Sequence, residues 1–265
     1  MIDLHCHILP AIDDGAIDLD MALEMARMAQ ADGIRTIACT PHIYPGMYEN
    51  TAAGIRAAIA EFQAILDREG IALHLVEGAD VHLTPDLLAD IHKGLIPTLA
   101  GSRYLLLEPP HHVAPPRFEE SVFRLMAAGL VPVITHPERL RWIEEHYDVF
   151  ERLADRGAWM QITAGALTGR HGERPQYWGQ RMLDEGRVHL LATDAHHPRH
   201  RPPLLEEARL AAIARIGEEA ANHLVLTRPQ GILDDVAPAQ LPAVEVPHRS
   251  RGAARPFWQR VLGRA

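Results

Sequence analysis

Residues 131–163 read VPVITHPERLRWIEEHYDVFERLADRGAWMQIT. The segment opens on one apolar run and closes on another. Between them, "YDVFERLADRG" carries apolar residues at helical spacing and stops at Gly157. Two short apolar runs joined by a helix make a strand–helix–strand unit, and such units build parallel sheets.

The same alternation extends outward in both directions. "MIDLH", "RTIACTPH", "ALHLVEGADV" and "RYLLLEPP" read as strands before this unit, and "VHLLATDAHH" reads as one after it. Helical patterns lie between them, the clearest being "DLDMALEMARMAQADG" and "TAAGIRAAIAEFQAILDREG". In "TPDLLADIHKG", Thr84 is the expected N-cap, with Pro85 at the first helical position. Seven strands, each followed by a helix, predict an α/β fold closed as a barrel more than an open sheet. Strand runs that are apolar throughout fit a sheet covered on both faces. One domain is expected over residues 1–235, followed by a Pro/Ala-rich linker and a basic tail over 236–265.

Composition narrows the function classes. The chain has 265 residues, 47% hydrophobic and 23% charged, with a net charge of −9. The charge divides unevenly, into a tail of about +4 and a body of about −13. An acidic body argues against a nucleic-acid-binding surface. No apolar run reaches membrane-span length, no secretory signal is legible, and the two cysteines form no disulfide framework. A cytoplasmic protein is expected. In the tail, Phe257, Trp258, Val261 and Leu262 share one helical face among arginines, a pattern suited to peripheral membrane or partner contact.

The outlier is histidine, with 17 in the chain. The first fourteen residues alone hold His5, His7, Asp13 and Asp14. Strand alternation points His5 and His7 to one face and Cys6 to the other. A lone histidine on a strand is usually structural. Here, however, a polar group ends every strand: His5 and His7, His42, Asp80, Glu108, His136, Gln161 with Thr163, then Asp194 with His196. The C-terminal ends of barrel strands converge on one mouth. Mixed histidine and carboxylate donors there suit Zn²⁺, Mn²⁺ or Fe²⁺. His74, His92, His146, His189 and His223 fit surface or core roles, whereas His111, His112, His171, His197 and His200 lie in loops near the mouth. Arg139 in "THPER" and Arg201 in "DAHHPRHRPP" directly follow ligand candidates. Their guanidinium groups suit a phosphate, although a salt bridge to Glu138 or another loop acid is the plainer alternative.

Other chemistries find no support. A Cys-x5-Arg phosphatase loop is absent, because Ile12 and Pro45 stand where its arginine would follow Cys6 or Cys39. No Walker or dinucleotide phosphate loop and no serine-hydrolase "GXSXG" is present.

"MIDLHCHILPAIDDGA", "TPH", "GADV", "LLLE", "THPER", "QITAGALTG" and "TDAH", in that order, resemble the PHP (polymerase and histidinol phosphatase) superfamily. Within it they most resemble the bacterial manganese-dependent tyrosine-protein phosphatases of capsule and exopolysaccharide operons. The likeness runs from Met1 to about Leu233. It implies a distorted (β/α)7 TIM-like barrel of the PHP type holding three divalent metal ions, manganese first, with iron or zinc as alternatives. His5, His7 and Asp194 would hold the first ion, with Asp80 bridging to the second. Glu108 and His136 would complete the second, and Asp14, His42 and His196 would hold the third. Arg139 and Arg201 would grip the phosphate, and His42 or a metal-bound water would serve as acid. This chain carries Asp80 where the family usually has glutamate. The implied partner is a phosphotyrosine protein, a bacterial tyrosine kinase controlling polysaccharide export.

Three rivals stay open on the sequence. One is a small-molecule phosphatase of the same superfamily, such as histidinol-phosphate phosphatase. Another is an amidohydrolase-like metal hydrolase, although its usual strand lysine has no counterpart, since the only lysine, Lys93, lies in a helix. The third is a non-catalytic module with a degraded site.

Overall fold

The structure is a computed structural model and describes residues 1–244. The basic amphipathic segment expected around Phe257–Leu262 lies outside the described residues. In chain order the elements are β1 Ile2–Cys6, α1 Leu19–Ala31, β2 Thr36–Cys39, β3 His42–Ile43, α2 Ala52–Arg68, β4 His74–Glu77, β5 Asp80–His82 and α3 Leu87–His92. They continue with β6 Tyr104–Glu108, α4 Phe118–Ala127, β7 Val131–Thr135, α5 Ile143–Asp155, β8 Trp159–Thr163 and α6 Ala164–Leu167. Then come α7 Glu173–Asp184, β9 Leu190–Ala192, α8 Glu206–Ile216, α9 Glu218–Asn222 and α10 Arg228–Leu233.

Every strand pair is parallel. The expected second and third strands are each broken once, which turns seven runs into nine strands. Pro41 has no N–H for a ladder, so β2 and β3 separate there. Thr40 compensates, its Oγ1 accepting from Cys6 N at 2.9 Å. Gly78 divides β4 from β5. A Cβ on Gly78 would stand 2.9 Å from Thr40 Cγ2, so only glycine lets these two interruptions pass each other. The order β1-β2-β4 and β3-β5-β6-β7-β8-β9 is therefore one run of seven strands. It closes on itself where β1 meets the end of β9. Cys6 pairs with Ala195, His7 N donates to Ala195 O at 2.9 Å, and Asp194 N donates to His5 O at 2.8 Å. Asp3 locks the seam, accepting from Thr193 N at 3.0 Å and from the Thr193 hydroxyl at 2.5 Å. The result is a distorted (β/α)7 barrel.

Strand alternation sorts the core. On β6, Leu105 and Leu107 face the helices, while Tyr104 and Leu106 join Leu4, Val133 and Trp159 in a smaller cluster. Tyr104 meets Trp159 edge-on, with ring centroids 4.9 Å apart. The row Tyr104–Leu106 continues to Glu108, so an apolar floor gives way to a polar mouth along one strand face.

Local starts follow cap chemistry. Asp18 caps α1 by accepting from Met21 N at 2.8 Å. The helix expected from Thr84 begins at Leu87 instead. Pro85 and Asp86 are used in a turn closed by Leu87 N to Thr84 O at 3.3 Å. Residues 236–244, the start of the expected linker, lie against the barrel. Arg228 donates to Pro242 O at 2.9 Å and to Ala243 O at 2.8 Å, and Leu241 covers Gly231. Among the described residues no helix is long and apolar enough to cross a membrane.

Candidate metal centre

The strand ends converge as their spacing predicts. His5 Nε2 and His7 Nε2 face each other at 3.2 Å. Asp80 Oδ2 stands 3.4 Å from His5 Nε2, and Asp194 Oδ1 stands 3.3 Å from the same nitrogen and 3.5 Å from His7 Nε2. Asp14 Oδ1 lies 3.3 Å from His196 Nε2 and 3.5 Å from His42 Nε2. Glu108 Oε1 lies 3.5 Å from His136 Nε2. Nine side chains named from the sequence thus share one site.

Two of them hold unusual backbone. His136 has φ 34° and Asp194 has φ 50°, both in the left-handed region that non-glycine residues avoid. His136 directly follows β7 and Asp194 comes two residues after β9, so each reversal swings a side chain off the ladder and into the mouth. The second also ends β9 at Ala192, earlier than "VHLLATDAHH" predicts. In the first loop, a Cβ on Gly15 would lie 2.0 Å from His7 O, so only glycine allows "IDDG" to fold back onto His7.

The site's donors fit a divalent cation. Both Asp80 oxygens and His42 Nδ1 are buried without a hydrogen-bond partner. Ligand atoms about 2.1 Å from a shared ion sit roughly 3.0–3.4 Å apart, which is the spacing of His5 Nε2 from His7 Nε2, Asp80 Oδ2 and Asp194 Oδ1. The ligand atoms form overlapping groups: His7, Asp14, His42 and His196; His5, His7 and Asp80; His5, His136 and Asp194; and Glu108, His111 and His136. The resemblance has Asp80 bridging from the ion of His5, His7 and Asp194 to that of Glu108 and His136; the structure groups it with His5 and His7, the first side of that bridge.

Outer partners set the ring orientations. His5 Nδ1 meets Gln161 Oε1 at 2.8 Å, and His196 Nδ1 donates to Asp194 O at 3.0 Å. His7 Nδ1 donates to Asp13 Oδ2 at 2.6 Å. Each bond leaves the other ring nitrogen aimed at the centre. Burial, with His196 and His42 alongside, holds the His7 imidazole well below its ordinary range. Burial also lowers His136, with Arg139 adding to the effect. Burial opposes the His5 cation, but Asp194 and Asp80 outweigh it and raise the imidazole to about 10.

Arg139 and Arg201 both grip Asp194 Oδ2, Arg201 Nη2 at 2.5 Å. The partner of Arg139 is therefore Asp194 and not Glu138, which is buried and accepts from Thr163 N at 3.0 Å. Burial would raise the Asp194 carboxyl, but Arg201, His5 and Arg139 hold it well below its usual range. The two guanidinium groups, with Asp14, His42, Glu108 and His136, line a cleft of about 190 Å³.

Two residues of the site have no role in the sequence reading. Asp13 is one; adjacency to Asp14 hides which carboxylate turns inward. His82 is the other, with Nε2 2.6 Å from Glu108 Oε2. Its signal was there, since it stands two residues after Asp80 on the same strand face. The loop histidine His111 also reaches Glu108, at 3.2 Å. The cysteines lie apart from the site, both buried in the outer core.

A closed parallel barrel with a histidine and carboxylate cluster at its C-terminal mouth, flanked by paired arginines, fits a metal-dependent hydrolase of the PHP type. The family described as capsular polysaccharide synthesis, CpsB/CapC, matches residues 1–234. The chain belongs to that family. It is 37% identical over 219 residues to the tyrosine-protein phosphatase YwqE of Bacillus subtilis, covering 83% of this chain and 86% of the relative. It is 28% identical to the tyrosine-protein phosphatase CpsB of Streptococcus pneumoniae, covering 89% and 99%. Among solved structures it superimposes with a TM-score of 0.87 on a chain from the work on YwqE and CpsB, described as metal-dependent tyrosine phosphatases. That match has 34% identity and covers 93% of this chain and 98% of the other.

Proposed function

We propose that the chain is a cytoplasmic protein-tyrosine phosphatase that hydrolyses phosphotyrosine at the barrel mouth with three divalent cations, manganese first. Its proposed partner is the tyrosine-rich tail of a bacterial tyrosine kinase controlling polysaccharide export. The observation that carries this reading is the convergence of His5, His7, Asp14, His42, Asp80, Glu108, His136, Asp194 and His196 at and beneath one cleft with Arg139 and Arg201 at its wall. The tyrosine phosphatases among its relatives support the substrate class.

His42, His196, Asp14 and His7 would hold one cation, and His5, Asp80, Asp194, Glu108 and His136 the others. Bound divalent ions supply Lewis-acid charge and lower the pKa of water toward neutrality. The chain's own residues do the rest. Arg139 and Arg201 present N–H groups at the cleft wall, where they bind the phosphoryl oxygens and offset the charge that grows on them. The buried left-handed turns at His136 and Asp194 hold those side chains in place before substrate arrives. Water attacks phosphorus, the phosphorus–phenol oxygen bond breaks, and tyrosine and phosphate are released. A phenolate with conjugate acid near pKa 10 leaves readily, so the site needs no strong acid.

The test strips metal with EDTA, verifies its removal, and restores Mn²⁺. Phosphotyrosine peptide hydrolysis should vanish and return, with turnover above that on histidinol phosphate. Full activity in the verified metal-free protein overturns the metal mechanism. Preference for histidinol phosphate moves the chain to the small-molecule reading.

A further inference from the structure

The cleft that would receive the phosphoryl group is walled entirely by ionisable side chains. Such a lining suits a dianion and repels an apolar ring. An aryl ring attached to that phosphoryl group must therefore rest on the rim. On the His42 side the rim is one short turn, residues 44–48, following β3. Tyr44 N donates to Tyr48 O at 3.0 Å and Tyr48 N to Tyr44 O at 2.8 Å. Gly46, with φ +84°, makes the reversal possible. Asn50 ties the base of the turn to the first loop, donating to Ile12 O and to His42 O, each at 2.9 Å. The turn is thus joined to the loop that carries Asp14.

Both tyrosine rings stack on histidines of the site. Tyr48 lies over His42 with centroids 5.7 Å apart and planes 20° apart. Tyr44 lies over His82 at 4.1 Å and 14°. Tyr44 remains 39% exposed and Met47, at the tip, 64% exposed. These exposed groups give the charged cleft one apolar edge on which an aryl ring can rest. Aromatic rings prefer offset or edge contacts with other rings, so this lip selects aromatic over alkyl groups.

Resting on the phosphatase reading above, we propose that Tyr44 and Tyr48 form the specificity-determining lip that receives the phenyl ring of phosphotyrosine. The lip discriminates aryl from alkyl phosphates, while the cleft binds what the two share.

The test uses full-length protein loaded with Mn²⁺ and two inhibitors that cannot be hydrolysed, phenylphosphonate and methylphosphonate. The wild type should bind the phenyl compound more tightly. Tyr48→Leu should erase roughly tenfold of that preference, about 1.4 kcal/mol, and Tyr44→Leu a smaller part. Tyr48→Phe should keep it. Manganese content and inhibition by inorganic phosphate should stay at wild-type values in all three. An unchanged preference in both leucine variants overturns the proposal. So does a parallel loss of phosphate, both phosphonates and metal, which would assign the tyrosines to support of His42 and His82. The phosphonate ratio does not depend on turnover. If the wild type failed to cleave a phosphotyrosine peptide but kept a Tyr48-dependent phenyl preference, the phosphatase reading would fall and the lip would stand.

Discussion

Asp13 makes no proposed contact with a cation, yet its removal should do more damage than removal of its neighbour. Its carboxylate is 1% exposed and accepts from His7 Nδ1 at 2.6 Å, His42 N at 3.1 Å and Gly15 N at 2.9 Å. Asp13→Ala leaves three donors without that acceptor. Each unpaired buried donor costs about 1–3 kcal/mol. Partial access by water makes about 3–6 kcal/mol a fair total, a large share of the 5–15 kcal/mol that holds a typical domain folded. The His7 ring also loses the bond that fixes its tautomer, and loss of such a bond typically weakens metal binding about 10–100-fold. Asp14→Ala should behave differently. Its side chain is 47% exposed, so stability should hold while one cation is lost. Urea denaturation of the metal-free proteins and calorimetric Mn²⁺ titration measure the two effects separately. The reasoning is refuted if Asp13→Ala binds Mn²⁺ like wild type and stays within about 0.5 kcal/mol of its stability, the range of ordinary surface changes.

Arg139→Ala and Arg201→Ala should each lower kcat/KM on phosphotyrosine peptide by an amount worth about 2–4 kcal/mol, with metal content intact; wild-type kinetics in both would remove the phosphate clamp. Burial raises the thiols of Cys6 and Cys39, so neither offers a thiolate, and Cys6→Ser and Cys39→Ser should keep most activity. Loss of activity in a folded Cys6→Ser would revive a thiol nucleophile. At His189, burial and Arg228 lower the imidazole to about 3, against an ordinary 6.5. The unfolded chain therefore binds the extra proton between those values, and stability falls as pH drops below 6.5. One proton separates the two states at this group, so its slope is at most about 1.4 kcal/mol per pH unit. His189→Gln keeps an acceptor for Met160 N, which the imidazole Nδ1 serves at 3.1 Å. It should narrow the difference in urea midpoint between pH 7 and pH 5; an unchanged difference would assign the acid sensitivity to other groups.

Periodicity made the barrel legible. Apolar runs with helices between them permit little besides a parallel sheet, and polar residues at the ends of those runs must meet once the strands share a direction. His5 with His7 could be paired from spacing alone, because a strand repeats every two residues, whereas Asp194 and His196 lie past the end of β9 and are placed by its left-handed turn. Arg139 and Arg201 were legible as mouth residues by the same reasoning. Spacing did not reach the loops. Asp13 and Asp14 are chemically alike neighbours, and only the fold-back of Gly15 onto His7 sends one beneath the ring and leaves the other at the opening. The break at Gly78 depends on Thr40 and Leu99 passing close by, contacts between segments far apart in the chain. The left-handed turns at His136 and Asp194 cost energy locally and persist because the closed barrel holds both sides of each turn. Local sequence determined which groups reach the mouth, since alternation is a property of each strand by itself. Which oxygen meets which ring was decided by tertiary closure, because those distances join strands whose separation no single segment encodes.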